Sequence, residues 1–169
     1  MNIFEAVHHR RSIRKYTDAP VSDETVETLL KAAMSAPSAG NAQPWQFVVI
    51  TDREILNRVP DVHPYAAMAK QAPVGILICG DLRLEKYPGN WVADCSAATQ
   101  NLLLAAHASG LGAVWTGVYP QQDRIEGFRK LLGLPDQVIP LAFVPVGYPD
   151  QRLMPEDRFR KDRIHRNGW

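Results

Sequence analysis

Three guanidiniums and one hydroxyl fall within five residues at Arg10-Arg11-Ser12-Ile13-Arg14. A guanidinium fork matches phosphate oxygens two at a time, and a serine hydroxyl adds a further donor. In an extended segment, alternation puts Arg10, Ser12 and Arg14 on one side. A solvated basic turn is the competing reading, because charge runs usually stay in water. A second basic group lies near the other end of the chain. Between Arg152 and Arg166, six basic side chains stand against Glu156, Asp157 and Asp162. They read either as a solvated terminus or as an arm that brings another cation to the phosphate site or wraps a partner.

The loop Pro37-Ser38-Ala39-Gly40-Asn41-Ala42-Gln43-Pro44-Trp45 offers amides and a hydroxyl on a small-residue backbone. Such a loop can read the hydrogen-bonding edge of a planar heterocycle. An ordinary helix-to-strand connection explains its composition equally well. Gly110-Leu111-Gly112-Ala113-Val114-Trp115-Thr116-Gly117 begins like a dinucleotide fingerprint, but Trp115 stands where the third glycine belongs. The segment also runs from a helix into a strand, the reverse of the required order, so a Rossmann site is excluded. No phosphate-binding P-loop occurs. His8 and His9 are adjacent and diverge on a helix, so they cannot share a metal. His63, His107 and His165 have no partners in sequence, and no Ser/His/Asp order is legible.

Composition bounds the alternatives. The chain has 169 residues, 46% apolar and 22% charged, with a formal net charge of +1. That is ordinary globular composition, with enough length for a sizeable core. A near-zero total argues against a nucleic-acid or membrane-surface partner. Cys79 and Cys95 form no CxxC pair, and no Cys/His spacing suits zinc. No run of about 18 apolar residues spans a membrane. The first residues lack the basic-then-apolar order of a signal peptide, so a reducing cytoplasm is the expected compartment.

The elements that must position these residues follow from periodicity and punctuation. Phe4 and Val7 predict a short first helix. Ser22 caps a second, with Val26, Leu29, Leu30, Ala33 and Met34 on one face, and Pro37 stops it. Phe47 to Ile50 and Val74 to Cys79 read as buried strands. Asp52 caps a helix through Val59, and residues 60–73 form a proline-rich loop with one or two helical turns. The longest helix runs from Asn90 to about Ser109, with Gly110 as its C-cap. Residues 112–116 predict a third strand, Ile125 to Leu132 a further helix, and Ile139 to Gly147 a fourth strand. Pro140 and Pro145 place that strand's prolines near its ends or at a sheet edge. An α+β arrangement, helices packed on one mixed sheet, fits this order at least as well as a doubly wound fold.

Taken in order, Arg10–Arg14, Pro37–Trp45, Gly110–Gly117 and Val146-Gly147-Tyr148-Pro149 resemble the FMN-dependent nitroreductase family across almost the whole chain. The resemblance implies an α+β fold, a mixed β-sheet sandwiched by helices, in an intertwined homodimer with FMN at the subunit interface. It implies one domain over residues 1–169 with a C-terminal arm from about 150. Arg10, Ser12 and Arg14 match the segment that binds the FMN phosphate and reaches the flavin's pyrimidine edge, with Arg11 beside them. Pro37, Ser38, Ala39, Asn41 and, more weakly, Gln43 match the loop that the partner subunit lays against the flavin. Trp115, Thr116, Gly117 and Val118 match the stretch beside the isoalloxazine. Arg158 or Arg160 matches the phosphate-binding cation of the tail. The implied activity is hydride transfer from NADH or NADPH through FMN to a nitroaromatic, quinone or similar small oxidised acceptor, in a ping-pong cycle. No catalytic side chain and no metal are required. A flavin-fragmenting or dehalogenating relative and a non-catalytic FMN-binding protein are the alternatives. The chain lacks the family's long insertion between the second strand and the Ala-rich helix, so the acceptor is the least transferable expectation.

Overall fold

The computed structural model describes residues 2–169. Helix α1 (Ile3–His9) opens with a reciprocal cap: the Asn2 side chain accepts the Glu5 N–H at 3.0 Å, and Glu5 accepts the Asn2 N–H at 2.9 Å. Ala6 is its buried residue, and Ile3, Phe4 and Val7 face outward. Helix α2 (Asp23–Met34) begins where Ser22 Oγ accepts the Thr25 N–H. Its Val26, Leu29 and Ala33 are buried at helical spacing. Strand β1 (Trp45–Ile50) leads to α3 (Arg53–Val62), capped by Asp52. This helix passes the expected stop at Val59 and contains Pro60. Its last turn is held by packing, since Val62 lies so close to Gly127 that a Cβ there would meet it at 2.6 Å.

Strand β2 (Val74–Asp81) is buried along its whole length. It pairs antiparallel with β1 on one side and with β5 (Val138–Gly147) on the other. Between them come α4 (Trp91–Ala108), β3 (Gly112–Ala113), β4 (Thr116–Gly117) and α5 (Gln122–Leu132). The sheet order is β1-β2-β5-β3, with β4 also on β5. All these ladders are antiparallel; an isolated parallel bridge joins Ser12 to Ala113.

Two differences from the sequence expectation share a cause. The single strand expected over 112–116 is two short ones. Ala113 pairs with Val146 and Thr116 with Phe143, so the register is continuous and the gap puts Val114 opposite Pro145. Proline has no N–H to donate, and the ladder breaks there. Pro140 and Pro145 do lie near the ends of β5, but β5 is a central strand rather than an edge. Pro140 falls opposite Cys79, where the β2–β5 register shifts, and Pro145 falls opposite the gap between β3 and β4.

Helices α2 and α4 cover one face of the sheet, where Leu29, Ala98 and Leu102 meet Ile76, Ile78, Val144 and Val146. Helices α3 and α5 cover the other, where Leu56, Val59, Ile125 and Phe128 meet Leu77 and Phe143. Alternation along β2 sends Ile76 and Ile78 to one layer and Leu77 and Cys79 to the other. Each large apolar side chain so buried contributes about 1.5–3 kcal/mol.

One contact docks the Arg10–Arg14 segment on this framework. Ile13 packs onto Gly112 so closely that a Cβ there would lie 2.5 Å from the Ile13 side chain. Gly112→Ala should therefore cost about 1–3 kcal/mol through overpacking. Urea unfolding of the two proteins measures it, and an unchanged midpoint would show that the segment is free to shift.

Candidate active site

The chain leaves α1 at Arg10 and runs extended along the sheet edge. Ile13 N–H donates to the Ala113 carbonyl at 3.0 Å. The buried Tyr16 hydroxyl donates to the Ile13 carbonyl at 2.6 Å, and Tyr16 bridges Pro149. Arg14 N–H donates to Gln151 Oε1 at 2.9 Å, and Asp150 N–H to the Lys15 carbonyl at 2.9 Å. The start of the tail is thus held against the arginine segment. Arg11 adds to this grip: its Nε donates to the Met154 carbonyl at 3.1 Å and its Nη1 to the Arg10 carbonyl at 2.7 Å. Its Nη2 is buried without a protein partner.

A cleft of about 410 Å³ opens here, lined by Arg11, Ser12, Arg14, Leu153, Met154, Glu156 and Arg158. Half-buried Arg10 stands beside it. Burial first, then the Arg158 and Arg11 guanidiniums, hold Arg10 below the ordinary arginine value. Glu156 is the one carboxylate lining the cleft, and it meets Arg158 at a loose 3.5 Å on the exposed side. Arg160 is elsewhere, bound through Nε and Nη2 to Asp162 at 2.9 and 2.8 Å.

A second cleft of about 420 Å³ is lined by Arg14, His63, Tyr65, Met68, Val114, Trp115, Thr116, Gly117 and Arg124. Arg14 belongs to both clefts. Trp115, Thr116 and Gly117 all line this cleft. Val118 does not line the cleft: its side chain is buried in the α3–α5 core layer, and its N–H bonds the Leu141 carbonyl.

The loop over 37–43 lines neither cleft of its own chain. Ser38 Oγ accepts the Gln43 N–H at 3.0 Å, Ala39 N–H donates to Asp94 Oδ1 at 2.9 Å, and Lys86 Nζ donates to the Gly40 carbonyl at 2.6 Å. Gly40, Asn41 and Gln43 all adopt positive φ. At Gly40 a side chain would also strike the Tyr87 ring, 2.9 Å from an added Cβ. The clamp leaves Pro37, Asn41 and Gln43 exposed and Ser38 and Ala39 half-buried. Asp94 was not a sequence candidate; an acid in the first turn of an Ala-rich helix reads as dipole compensation.

His63, Tyr65, Met68 and Arg124 also escaped the sequence reading. His63 is buried, at 1% exposure. Its Nε2 lies 2.9 Å from the Gly117 carbonyl, and its Nδ1 accepts the Tyr65 N–H at 3.3 Å. These two bonds require the neutral ring with hydrogen on Nε2. Arg124 Nη1 donates to the same carbonyl at 2.7 Å. Burial foremost, and then Arg124, lower the His63 pKa, against the bonds to backbone and nearby Asp123, which raise it. Folding therefore excludes a proton that the unfolded imidazole accepts below its ordinary value of 6.5. Stability is fully present above that pH and is lost as pH falls below it. Melting temperature should drop between about pH 6.5 and 5, and His63→Gln should flatten that drop. An identical pH slope in the variant would remove His63 as its source. His107, also lowered by burial, remains in both proteins as a shared background.

Among the described residues, no group of three or more His, Cys, Asp or Glu is placed to hold a metal ion. No helix is long and apolar enough to cross a membrane. The sequence profile of the Nitroreductase family matches residues 7–63 and 58–148. A Methanothermobacter thermautotrophicus protein with the provisional name NADH dehydrogenase/NAD(P)H nitroreductase is 54% identical over 169 residues, covering 100% of this chain and 88% of the relative. A Parabacteroides distasonis crystal structure with the same provisional name superposes with a TM-score of 0.95 at 46% identity, covering 100% of both chains. A Desulfovibrio desulfuricans structure, provisionally named a nitroreductase and solved in complex with FMN, gives a TM-score of 0.86 at 33% identity, covering 100% of this chain and 98% of the other. With its fold, its ordered motifs and nearly its whole length matched, this chain belongs to the nitroreductase family.

Proposed function

We propose that this chain is an NAD(P)H-dependent FMN oxidoreductase that reduces a nitroaromatic, quinone or similar small acceptor in a ping-pong cycle. The observation that carries this reading is that Arg14 lines both clefts. Arg14 stands between a guanidinium-lined pocket and a cleft walled by Trp115, Thr116 and Gly117. FMN has the same two parts, a phosphate and a planar ring joined by a short chain.

The residues present fit that group. Arg10, Arg11 and Arg158 are crowded like charges, and Arg11 Nη2 is buried with no partner. An anion in the pocket would relieve the repulsion and satisfy the orphaned donor. Arg10, Arg11, Ser12 and Arg158 hold the phosphate in this reading. Arg158 takes the role over Arg160, whose fork is occupied by Asp162. Arg14, at the junction, sets a positive charge beside the ring's pyrimidine edge and stabilises negative charge there. When bound, FMN supplies the two-electron hydride relay between donor and acceptor. Val114, Trp115, Thr116 and Gly117, which line the cleft, would hold the ring and shield it from water. His63 has both nitrogens engaged and donates no proton to substrate; water supplies the protons.

The active unit is a homodimer of one-domain chains. Helix α1 leaves Ile3, Phe4 and Val7 outside, and the tail leaves Met154, Phe159, Ile164 and Trp169 at least half exposed. So much uncovered apolar surface calls for a partner. The arm over 150–169 wraps the second copy, and the clamped loop of Pro37, Ser38, Ala39, Asn41 and Gln43 closes the second copy's flavin site. Cys79 and Cys95 are unpaired, and burial pushes both thiols up to about 12, which suits a reducing cytoplasm.

Purified protein should take up FMN and turn yellow, and anaerobic NADH or NADPH should bleach it. A flavin that stays oxidised with both donors overturns the reductase reading. Arg10→Ala should weaken FMN affinity about tenfold or more, the loss of one charge-assisted contact; an unchanged Kd for FMN removes Arg10 from the phosphate site. Sedimentation velocity should give twice the chain mass, and a monomer at micromolar concentration would sink the shared-site arrangement.

A further inference from the structure

We propose that Arg124, backed by Tyr65, receives an anionic substituent of the substrate that enters the flavin cleft, and so makes this enzyme prefer anionic substrates to neutral ones. The inference rests on the flavin reading and deepens it.

Arg124 enters the cleft from the first turn of α5. A cation there gains nothing from the helix, since the macrodipole disfavours positive charge at an N-terminus. Nor is it neutralised. Among the described residues it forms no ion pair, while Glu126 on the same helix is taken by Arg129 at 2.8 Å. Its one bond within the protein runs from Nη1 to the Gly117 carbonyl, which His63 already supplies with a donor. The Nε is buried and unpartnered. Among the described residues Nη2 has no hydrogen-bond partner either, in a cleft that also holds Arg14.

Tyr65 fixes the orientation. Its ring lies 5.2 Å from the Arg124 carbon, in cation–π contact, and is 71% exposed at the mouth of the cleft. Its backbone is tied to His63 Nδ1. A guanidinium stacked on a ring presents its N–H edge in plane, the geometry that a carboxylate or phosphate accepts bidentately. Such an anion reaches a reductase of this kind from one of two sources: a carboxylated acceptor, or the 2′-phosphate that distinguishes NADPH from NADH. Both offer the same chemistry to Arg124.

The test uses FMN-loaded wild type, Arg124→Gln, Arg124→Lys and Tyr65→Leu. The first arm compares kcat/KM for 4-nitrobenzoate with that for its methyl ester at fixed NADH. The second compares NADPH with NADH at a fixed neutral quinone. The anionic-over-neutral ratio should fall about tenfold in Arg124→Gln, mainly through KM, and recover in part in Arg124→Lys. Tyr65→Leu, a change at an exposed ring, should lower the same ratio by less. In wild type the ratio should also decline as ionic strength rises. A fall in the first arm identifies the acceptor as the anion's source, and a fall in the second identifies the donor. Ratios unchanged in both arms, in a variant that keeps its FMN, overturn this proposal alone. A wild-type chain that takes up no FMN overturns the flavin reading and this proposal with it.

Discussion

The site depends on a single seam, where the segment from Ser12 to Tyr16 lies against Gly112 and Ala113. The Ile13 N–H bonds the Ala113 carbonyl, and the Ile13 side chain presses on Gly112. The Tyr16 hydroxyl returns to the Ile13 carbonyl and also reaches that of Pro145. These contacts bring together parts of the chain about a hundred residues apart, so ordering them carries a substantial loop-closure cost. The buried sheet beneath offsets it. Without the seam, Arg14 would not stand between the cationic pocket and the cleft beside Trp115, and the two would be unrelated surface features. The same seam explains the start of the tail, since Asp150 and Gln151 bond Lys15 and Arg14.

Charge placement gives the seam its purpose. The chain is almost neutral in sum, yet Arg11, Arg14 and Arg158 line one pocket that holds a single carboxylate, and Arg10 feels the charges of Arg158 and Arg11. Such crowding raises the energy of the isolated chain unless an anion is bound. Arg160, two residues from Arg158, makes the contrast visible. Its fork closes on Asp162, and its charge is spent within the arm. The neutral imidazole of His63 and the Arg124 guanidinium share the Gly117 carbonyl and hold the short strand that lines the second cleft.

Local signals survived into the fold wherever the deciding interaction was itself local. Ser22 and Asp52 cap the helices they were expected to cap, because a side chain and an N–H two or three residues on suffice. The strand at 74–81 is buried throughout, as its apolar run implied. The strand expected to be buried over 47–50 is instead the edge strand β1, with Trp45 and Ile50 buried and Val49 exposed, because an apolar run does not record whether a second strand will cover it. The longest helix, expected from Asn90, begins one residue later at Trp91, whose N–H donates to Glu85 Oε1. Pro60 was read as a stop and is not one, since Val62 finds its partner at Gly127 on a distant helix. The strand break at Val114 could not be seen from residues 112–116 either, because its cause is Pro145 across the ladder.

The sequence by itself determined where cationic side chains are grouped, which loops are built from small polar residues, and the order of helices and strands. Those properties reside in side-chain type and in spacing of a few residues. Tertiary structure alone decided which cations share a pocket, that Val118 turns into the core, and that the loop over 37–43 faces away from its own chain's clefts. It also brought Arg124 of α5 to His63 and Tyr65, which lie far from it in the chain with no common spacing to betray the contact. Contacts of that kind depend on how two faces of a sheet are covered, and hydrophobic periodicity records that a face is buried without recording what will bury it.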